Sequence, residues 1–114
     1  MSERRLVPRR DMIFTPWVKY SEGNSVGTVL DLNQVGLLVL SDEEIKEGDQ
    51  FHLFVGDDHH EELVGQEVEL SVEVMRCKKY DDGTFEIGFT IVEVISEDGQ
   101  VYLNKLVRLL GSYE

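Results

Sequence analysis

A chain of 114 residues has the usual length of one compact domain, and a hydrophobic content of 41% is enough to build a core. The 23 Asp and Glu residues outnumber the 11 Lys and Arg residues, so the net charge is -12. A surface of this sign repels polyanions, which argues against general binding of DNA or RNA. The charge is uneven, because residues 1–10 hold four arginines and one glutamate, a net charge of +3, and the other 104 residues therefore carry -15.

The chain lacks the sequence features of membrane and exported proteins. No apolar run approaches the ~18 residues that a membrane span requires, and no apolar block follows the N-terminal arginines as in a signal peptide. We therefore expect a cytoplasmic protein without membrane insertion. The single cysteine, Cys77, has no partner for an internal disulfide and is interpreted as a packing residue.

Apolar residues alternate with polar ones along most of the chain, and turn residues interrupt them at short intervals, which indicates an antiparallel sheet or barrel. The expected strands are, in chain order, 12–20 (broken by Pro16), 25–32, 37–40, 50–55, 68–77 and 85–91. The first two are expected to pair as a hairpin, and Asp82-Gly83 supplies a hairpin turn between the last two. A short helical turn is expected at 41–47, and the polar stretch 56–62 is expected to be an exposed loop.

The pattern changes near the C-terminus, where Leu103, Leu106, Val107 and Leu110 recur at helical spacing and Gly111 stands as a stop signal. These residues predict an amphipathic helix at about 99–110. The sequence therefore predicts a mainly β protein, a small antiparallel barrel of six or seven strands whose C-terminal helix covers an opening or an open edge.

Two short segments carry the candidate chemistry. Residues 4–10 contain Arg4, Arg5, Arg9 and Arg10, and in an acidic protein they indicate an anionic partner, although a solvated basic arm has the same composition. The second segment, Asp31-Leu32-Asn33-Gln34-Val35-Gly36, lies at a predicted strand junction and by itself reads as an ordinary turn.

Together the two segments resemble the motifs of the PilZ family of cyclic di-GMP receptors, Arg-x-x-x-Arg followed by Asp/Asn-x-Ser/Ala-x-x-Gly. Arg5 and Arg9 match the first motif, and Asp31 and Gly36 match the second, whereas Asn33 stands where the family usually has Ser or Ala. The resemblance extends over nearly the whole chain through the apolar run after Gly36, the strand end at 74–76, the late strand at 85–89 and the C-terminal helix.

The resemblance implies an N-terminal ligand-binding arm at 1–11 and a PilZ barrel domain at 12–114. It implies that Arg5, Arg9, Asp31, Asn33 and Gly36 bind cyclic di-GMP. Two further arginines, Arg4 and Arg10, are additional candidates, and an arginine at the position of Arg4 is associated in this family with a stacked pair of ligand molecules.

The residue types suit this ligand on chemical grounds. An arginine can bind phosphate through its planar fork, pair with guanine O6 and N7, or stack on a base. The Asp31 carboxylate can accept hydrogen bonds from guanine N1–H and N2–H, and the Asn33 amide can bond a base edge or a phosphate. At Gly36 the lack of a side chain permits close approach of the backbone.

We find no arrangement of nucleophile, base and orienting group, so no enzyme is expected, and no cofactor apart from the ligand. A metal enzyme built on Asp57-Asp58-His59-His60-Glu61-Glu62 ranks far lower, because adjacent loop residues rarely converge on one ion. The leading hypothesis is a receptor whose arm becomes ordered on cyclic di-GMP and which signals through a flagellar, exopolysaccharide or regulatory protein. The alternative is a degenerate PilZ domain that acts only as a protein-interaction module.

Overall fold

The computed structural model describes residues 16–109 of the chain. These residues form six strands and one helix: β1 Trp17–Tyr20, β2 Thr28–Leu32, β3 Gly36–Ser41, β4 Gln50–Gly56, β5 Val68–Lys79, β6 Phe85–Val94 and α1 Glu97–Leu109. Every strand pair is antiparallel, and the sheet has the order β1-β4-β5-β6-β3-β2. The predicted class, a mainly β protein with six antiparallel strands in a curled, barrel-like sheet and a C-terminal helix, is confirmed.

The expected hairpin between the first two strands is wrong for their main length, since β1 pairs with β4 and β2 pairs with β3. A single bridge between Lys19 and Ser25, with the Val26 N–H donating to the Val18 carbonyl at 3.0 Å, joins β1 to the segment before β2. The chain then turns away at Gly27, whose φ is +154°. A Cβ there would lie 2.2 Å from the Leu40 carbonyl oxygen, so only glycine lets the chain reach the edge of β3.

The core lies between the inner face of the curled sheet and α1. Inward residues of the central strands are almost completely buried, among them Val39, Leu53, Leu70, Val72 and Ile87. From the helix, Tyr102, Leu103, Leu106 and Val107 pack against this face. Alternation in the strands and the i, i+3, i+4 spacing in the helix therefore serve one common core, as the sequence predicts.

The helix begins two residues earlier than expected because Ser96 caps it. The Ser96 hydroxyl accepts the Gly99 N–H at 2.9 Å, and Glu97 and Asp98 occupy the first turn, where carboxylates stabilise the helix dipole. Leu110 and Gly111 of the predicted helix end lie outside the described residues. No helix among residues 16–109 combines the length and the apolar character needed to cross a membrane.

The helical turn expected at 41–47 does not form. The Ser41 hydroxyl accepts the Glu43 N–H at 3.1 Å, as a cap would, but the chain continues as bends up to the turn at Gly48 and Asp49. The backbone groups of that turn bond to Val74 of β5, with the Gly48 N–H donating at 2.8 Å. Pairing with a neighbouring strand therefore competes successfully with local helix formation. The hairpin turn at Asp82-Gly83 is confirmed, with φ of +89° at Gly83.

Candidate ligand site at the β2–β3 turn

The three second-motif residues lie together at the turn that connects β2 to β3. Asp31 is near the end of β2, Asn33 lies in the turn and Gly36 begins β3. Together with Leu37 and Leu38 they line a small surface cavity of about 110 Å³. The arginine candidates Arg4, Arg5, Arg9 and Arg10 lie outside the described residues, so the geometry of the site concerns its barrel half.

Asn33 closes the turn with its own side chain. Its Oδ1 accepts the N–H groups of Val35 at 2.8 Å and Gly36 at 3.0 Å, and its backbone N–H donates to the Gly36 carbonyl at 3.0 Å. This is the side-chain turn that Asn favours, and it orders the backbone beside Asp31. Among the described residues Nδ2 makes no hydrogen bond, so the amide nitrogen keeps both of its N–H donors available.

We expect Asn33→Ala to lower the free energy of unfolding by about 1 kcal/mol, because two backbone N–H groups lose their acceptor in a setting where water can partly replace it. Urea unfolding followed by circular dichroism measures the change. Asn24→Ala is the matched control, since Asn24 is exposed and its side chain bonds no described residue. Equal stabilities of the two variants would contradict the proposed role of the Asn33 oxygen.

Position 36 requires glycine for a structural reason that is independent of any ligand. In the β3–β6 ladder it stands opposite Thr90, and a Cβ at this position would lie 2.6 Å from the carbonyl oxygen of Phe89. No real Cβ tolerates a backbone oxygen at that distance. Glycine is therefore required for β3 to pair with β6 at its first residue.

Asp31 lies on the outer face of the sheet and is half buried. Its Oδ1 accepts the Leu32 N–H at 2.9 Å, which turns the carboxylate toward the β2–β3 turn. The ladder has a bulge between Val29 and Asp31, so the side chain of Asp31 falls on the same face as its partner Leu38. The carboxylate thus lies at the rim of the cavity beside Gly36.

A second, larger cavity of about 380 Å³ lies at the opposite end of the β2–β3 hairpin. Asp42 and Glu43 contribute carboxylates to it, and its described lining holds no Lys or Arg. Burial, with the negative charges of Glu43 and Glu22, raises the pKa of the Tyr20 phenol above its usual range. The negative charge of this cavity makes it unsuited to an anionic nucleotide, so the larger cavity is not the better candidate for the ligand site.

The loop at 57–62 is not wholly exposed, because the Asp57 side chain is completely buried. Its Oδ2 accepts the His60 backbone N–H at 2.9 Å and bonds His60 Nδ1 at 2.7 Å. Burial alone would raise the pKa of Asp57, but hydrogen bonds from the side chain and backbone of His60 and from the backbone of His59 outweigh it and lower the pKa. Among residues 16–109 no group of three or more His, Cys, Asp or Glu side chains could hold a metal ion.

The loop is attached to α1 as well as to itself. The Tyr102 hydroxyl reaches the carbonyl oxygens of Leu63 at 3.3 Å and Gln66 at 3.2 Å. Leu63 is completely buried, so this segment belongs to the core of the domain. Sequence reasoning missed this function of Asp57, because a run of six polar residues carries no local signal that its first member faces inward.

Comparison with known proteins identifies the family. The profile of the PilZ domain matches residues 3–112, and the chain belongs to the PilZ family. Two solved structures share its fold at low sequence identity. The PilZ domain of YcgR from Escherichia coli, a structure with c-di-GMP, has a TM-score of 0.58 and 13% identity, with 91% of each chain covered.

The other is the inhibitor of motility MotI/DgrA of Bacillus subtilis, with a TM-score of 0.61 and 14% identity. The match covers 90% of the present chain and 51% of MotI/DgrA, so the chain spans about half the length of that protein. No curated protein sequence matches the chain significantly. At these identities the two structures establish a shared fold.

Proposed function

We propose that this PilZ domain is a receptor for cyclic di-GMP. The observation that carries the proposal is the convergence of Asp31, Asn33 and Gly36 on one surface cavity at the β2–β3 turn. The family membership supports it, and so does the fold shared with a YcgR domain whose structure contains c-di-GMP. In this proposal residues 1–11 form the ligand-binding arm and residues 12–114 form the barrel domain.

Each proposed contact uses a group suited to one part of the ligand. Arg5 and Arg9 bind phosphate or guanine through their planar forks. The Asp31 carboxylate accepts from guanine N1–H and N2–H, and Asn33 Nδ2 donates to an acceptor on the ligand. Gly36 leaves the backbone accessible beside the turn.

The proposed mechanism is ordering of the arm around the ligand. The arm carries +3 within a protein of -12, so the two phosphates of the ligand partly neutralise its positive charge. Closing the arm changes the surface next to the β2–β3 turn, and a protein partner reads that change. MotI/DgrA is described as an inhibitor of motility, which favours a motility component over exopolysaccharide or other regulatory proteins as the first partner to test.

Calorimetric titration with cyclic di-GMP in low salt tests the receptor. We expect Arg9→Ala to weaken binding about 10- to 100-fold, since a lost charge-assisted, bidentate contact costs roughly 1.5–3 kcal/mol. Arg108→Ala is the control for net charge, because Arg108 is exposed in the last turn of α1. Equal affinity of Arg9→Ala and wild type would contradict the role of the arm. A ratio of two ligands per chain would support a stacked ligand pair with a contribution from Arg4, whereas a ratio of one would argue against it.

One observation favours the second candidate, a PilZ domain that has lost its ligand and binds only a protein. Asn33 stands where the family usually has Ser or Ala, and its oxygen serves the turn instead of a ligand. Wild-type protein that gives no heat at tens of micromolar concentration would support this candidate and reject the receptor.

A further inference from the structure

An arginine on β5 lies on the same row of the sheet as Asp31. Asp31 of β2 stands opposite Leu38 of β3, Leu38 stands opposite Gly88 of β6, and Gly88 stands opposite Arg76 of β5. Directly paired residues have their side chains on the same face. Arg76 and Asp31 are therefore the two ends of one row across the outer face of the sheet.

The middle of this row is low, because Gly88 has no side chain. A Cβ added there would lie 3.4 Å from Arg76 Cγ, 3.7 Å from Arg76 Nε and 4.0 Å from Leu38 Cδ1. The arginine stem thus lies over Gly88, and the Leu38 side chain borders the same position. Three strand spacings of about 4.8 Å separate the ends, roughly 14 Å along the sheet, a span that a ligand with two guanines and two phosphates can bridge.

A buried acid holds the guanidinium in this position. Arg76 Nη2 donates to Glu86 Oε2 at 3.2 Å, and Glu86 Oε1 accepts the hydroxyl of Tyr80. The Glu86 side chain is only 7% exposed, whereas that of Arg76 is 60% exposed. Among the described residues the other donors of Arg76 have no partner, so an oriented fork faces outward from the sheet.

The charge distribution sets this end of β5 apart. Of the seven Lys and Arg residues between 16 and 109, three occur within four positions, at Arg76, Lys78 and Lys79. Arg76 offsets the charge of the nearly buried Glu86, which is a structural role, while the exposed part of its guanidinium stays accessible. Arg76 and Lys78 stand opposite Gly88 and Glu86 and so lie on the face that carries Asp31, whereas Lys79 lies on the other face.

We propose that Arg76 is a further contact for the cyclic dinucleotide, positioned by Glu86, and this inference rests on the proposed receptor function. Its fork meets a pair of acceptors on the ligand, either two phosphate oxygens or O6 and N7 of guanine. Asp31 then holds one end of the ligand and Arg76 the other, with Gly88 as the floor between them.

Titration of wild type, Arg76→Met and Arg76→Lys with cyclic di-GMP tests the inference. We expect at least a 10-fold loss of affinity for Arg76→Met, and only partial recovery with Lys, because an ammonium group lacks the fork. Arg108→Met, the same change on α1, should bind as wild type does. Thermal unfolding of all variants verifies that they are folded.

The outcomes separate the inference from the receptor proposal. If wild type does not bind cyclic di-GMP, the receptor proposal is contradicted. If wild type binds and Arg76→Met changes the affinity by twofold or less, only the role of Arg76 is overturned.

Discussion

Gly36→Ala is expected to lower the free energy of unfolding by about 3 kcal/mol in the absence of any ligand, at the upper end of overpacking effects. The added methyl group would lie 2.6 Å from the Phe89 carbonyl oxygen, and both atoms belong to a paired ladder that has little freedom to move. For a domain of this size the corresponding fall in Tm is roughly 10–20 °C. Differential scanning calorimetry of the ligand-free protein measures it.

Gly88→Ala is the matched control, since it adds the same methyl group to the next strand. There the nearest atom is Arg76 Cγ at 3.4 Å, part of a flexible side chain that can shift. We expect its stability to change by less than about 1 kcal/mol. If Gly36→Ala has the same Tm as wild type, the glycine has no structural role, and any loss of ligand binding by this variant must come from a direct effect on the ligand site.

Asp57→Ala is expected to cost about 3 kcal/mol of stability at neutral pH. The substitution removes the acceptor of two hydrogen bonds from His60 inside the loop that packs under Tyr102. Hydrogen bonds to a charged group contribute about 1.5–3 kcal/mol each when the partner is left buried. Urea unfolding at pH 7 measures the loss, and Asp42→Ala, at an exposed position, is the control.

The pH dependence of this difference has a defined sign. The folded-state pKa of Asp57 is lowered from its ordinary value of 3.8, so its stabilising effect is fully present above that value and is lost as pH falls through the lowered folded value. The difference in stability between wild type and Asp57→Ala should therefore begin to shrink near pH 4 and continue to shrink as the pH falls further. A constant difference between pH 7 and pH 2 would show that the carboxylate acts through shape alone.

Periodicity in the sequence predicts the strands and the helix because the spacing of apolar residues within each element depends on which of its faces is buried. Which strands pair with each other depends instead on residues that are far apart in the sequence. The Ser21–Asn24 turn does start a hairpin, but at Gly27 the chain passes to the edge of β3, where a Cβ would collide with the Leu40 carbonyl oxygen. The residues at 41–47 fail to form a helix for a similar reason, since β5 supplies the partners of the turn that follows.

The grouping of Asp31, Asn33 and Gly36 was predictable because they are close in sequence and lie in one turn, and their role in ligand binding stays a prediction. Arg76 was not predicted as a ligand contact, since its relation to Asp31 depends on the register of three separate strand pairs. Asp57 was predicted as exposed for the same reason, because its buried surroundings come from α1 and from the segment around Leu63. The roles of Arg5 and Arg9 stay predictions.

The steric demand at Gly36 bears on how such domains diverge. A PilZ domain that stops binding its ligand is released from selection on residues that meet only the ligand, which are the arginines in our proposal. It is not released at Gly36, because Phe89 excludes a larger residue whether or not a ligand is present. Within the family, the loss of the arginines should therefore precede the loss of this glycine. A domain that keeps the glycine without the arginines shows that it needs the fold, and does not show that it binds the ligand.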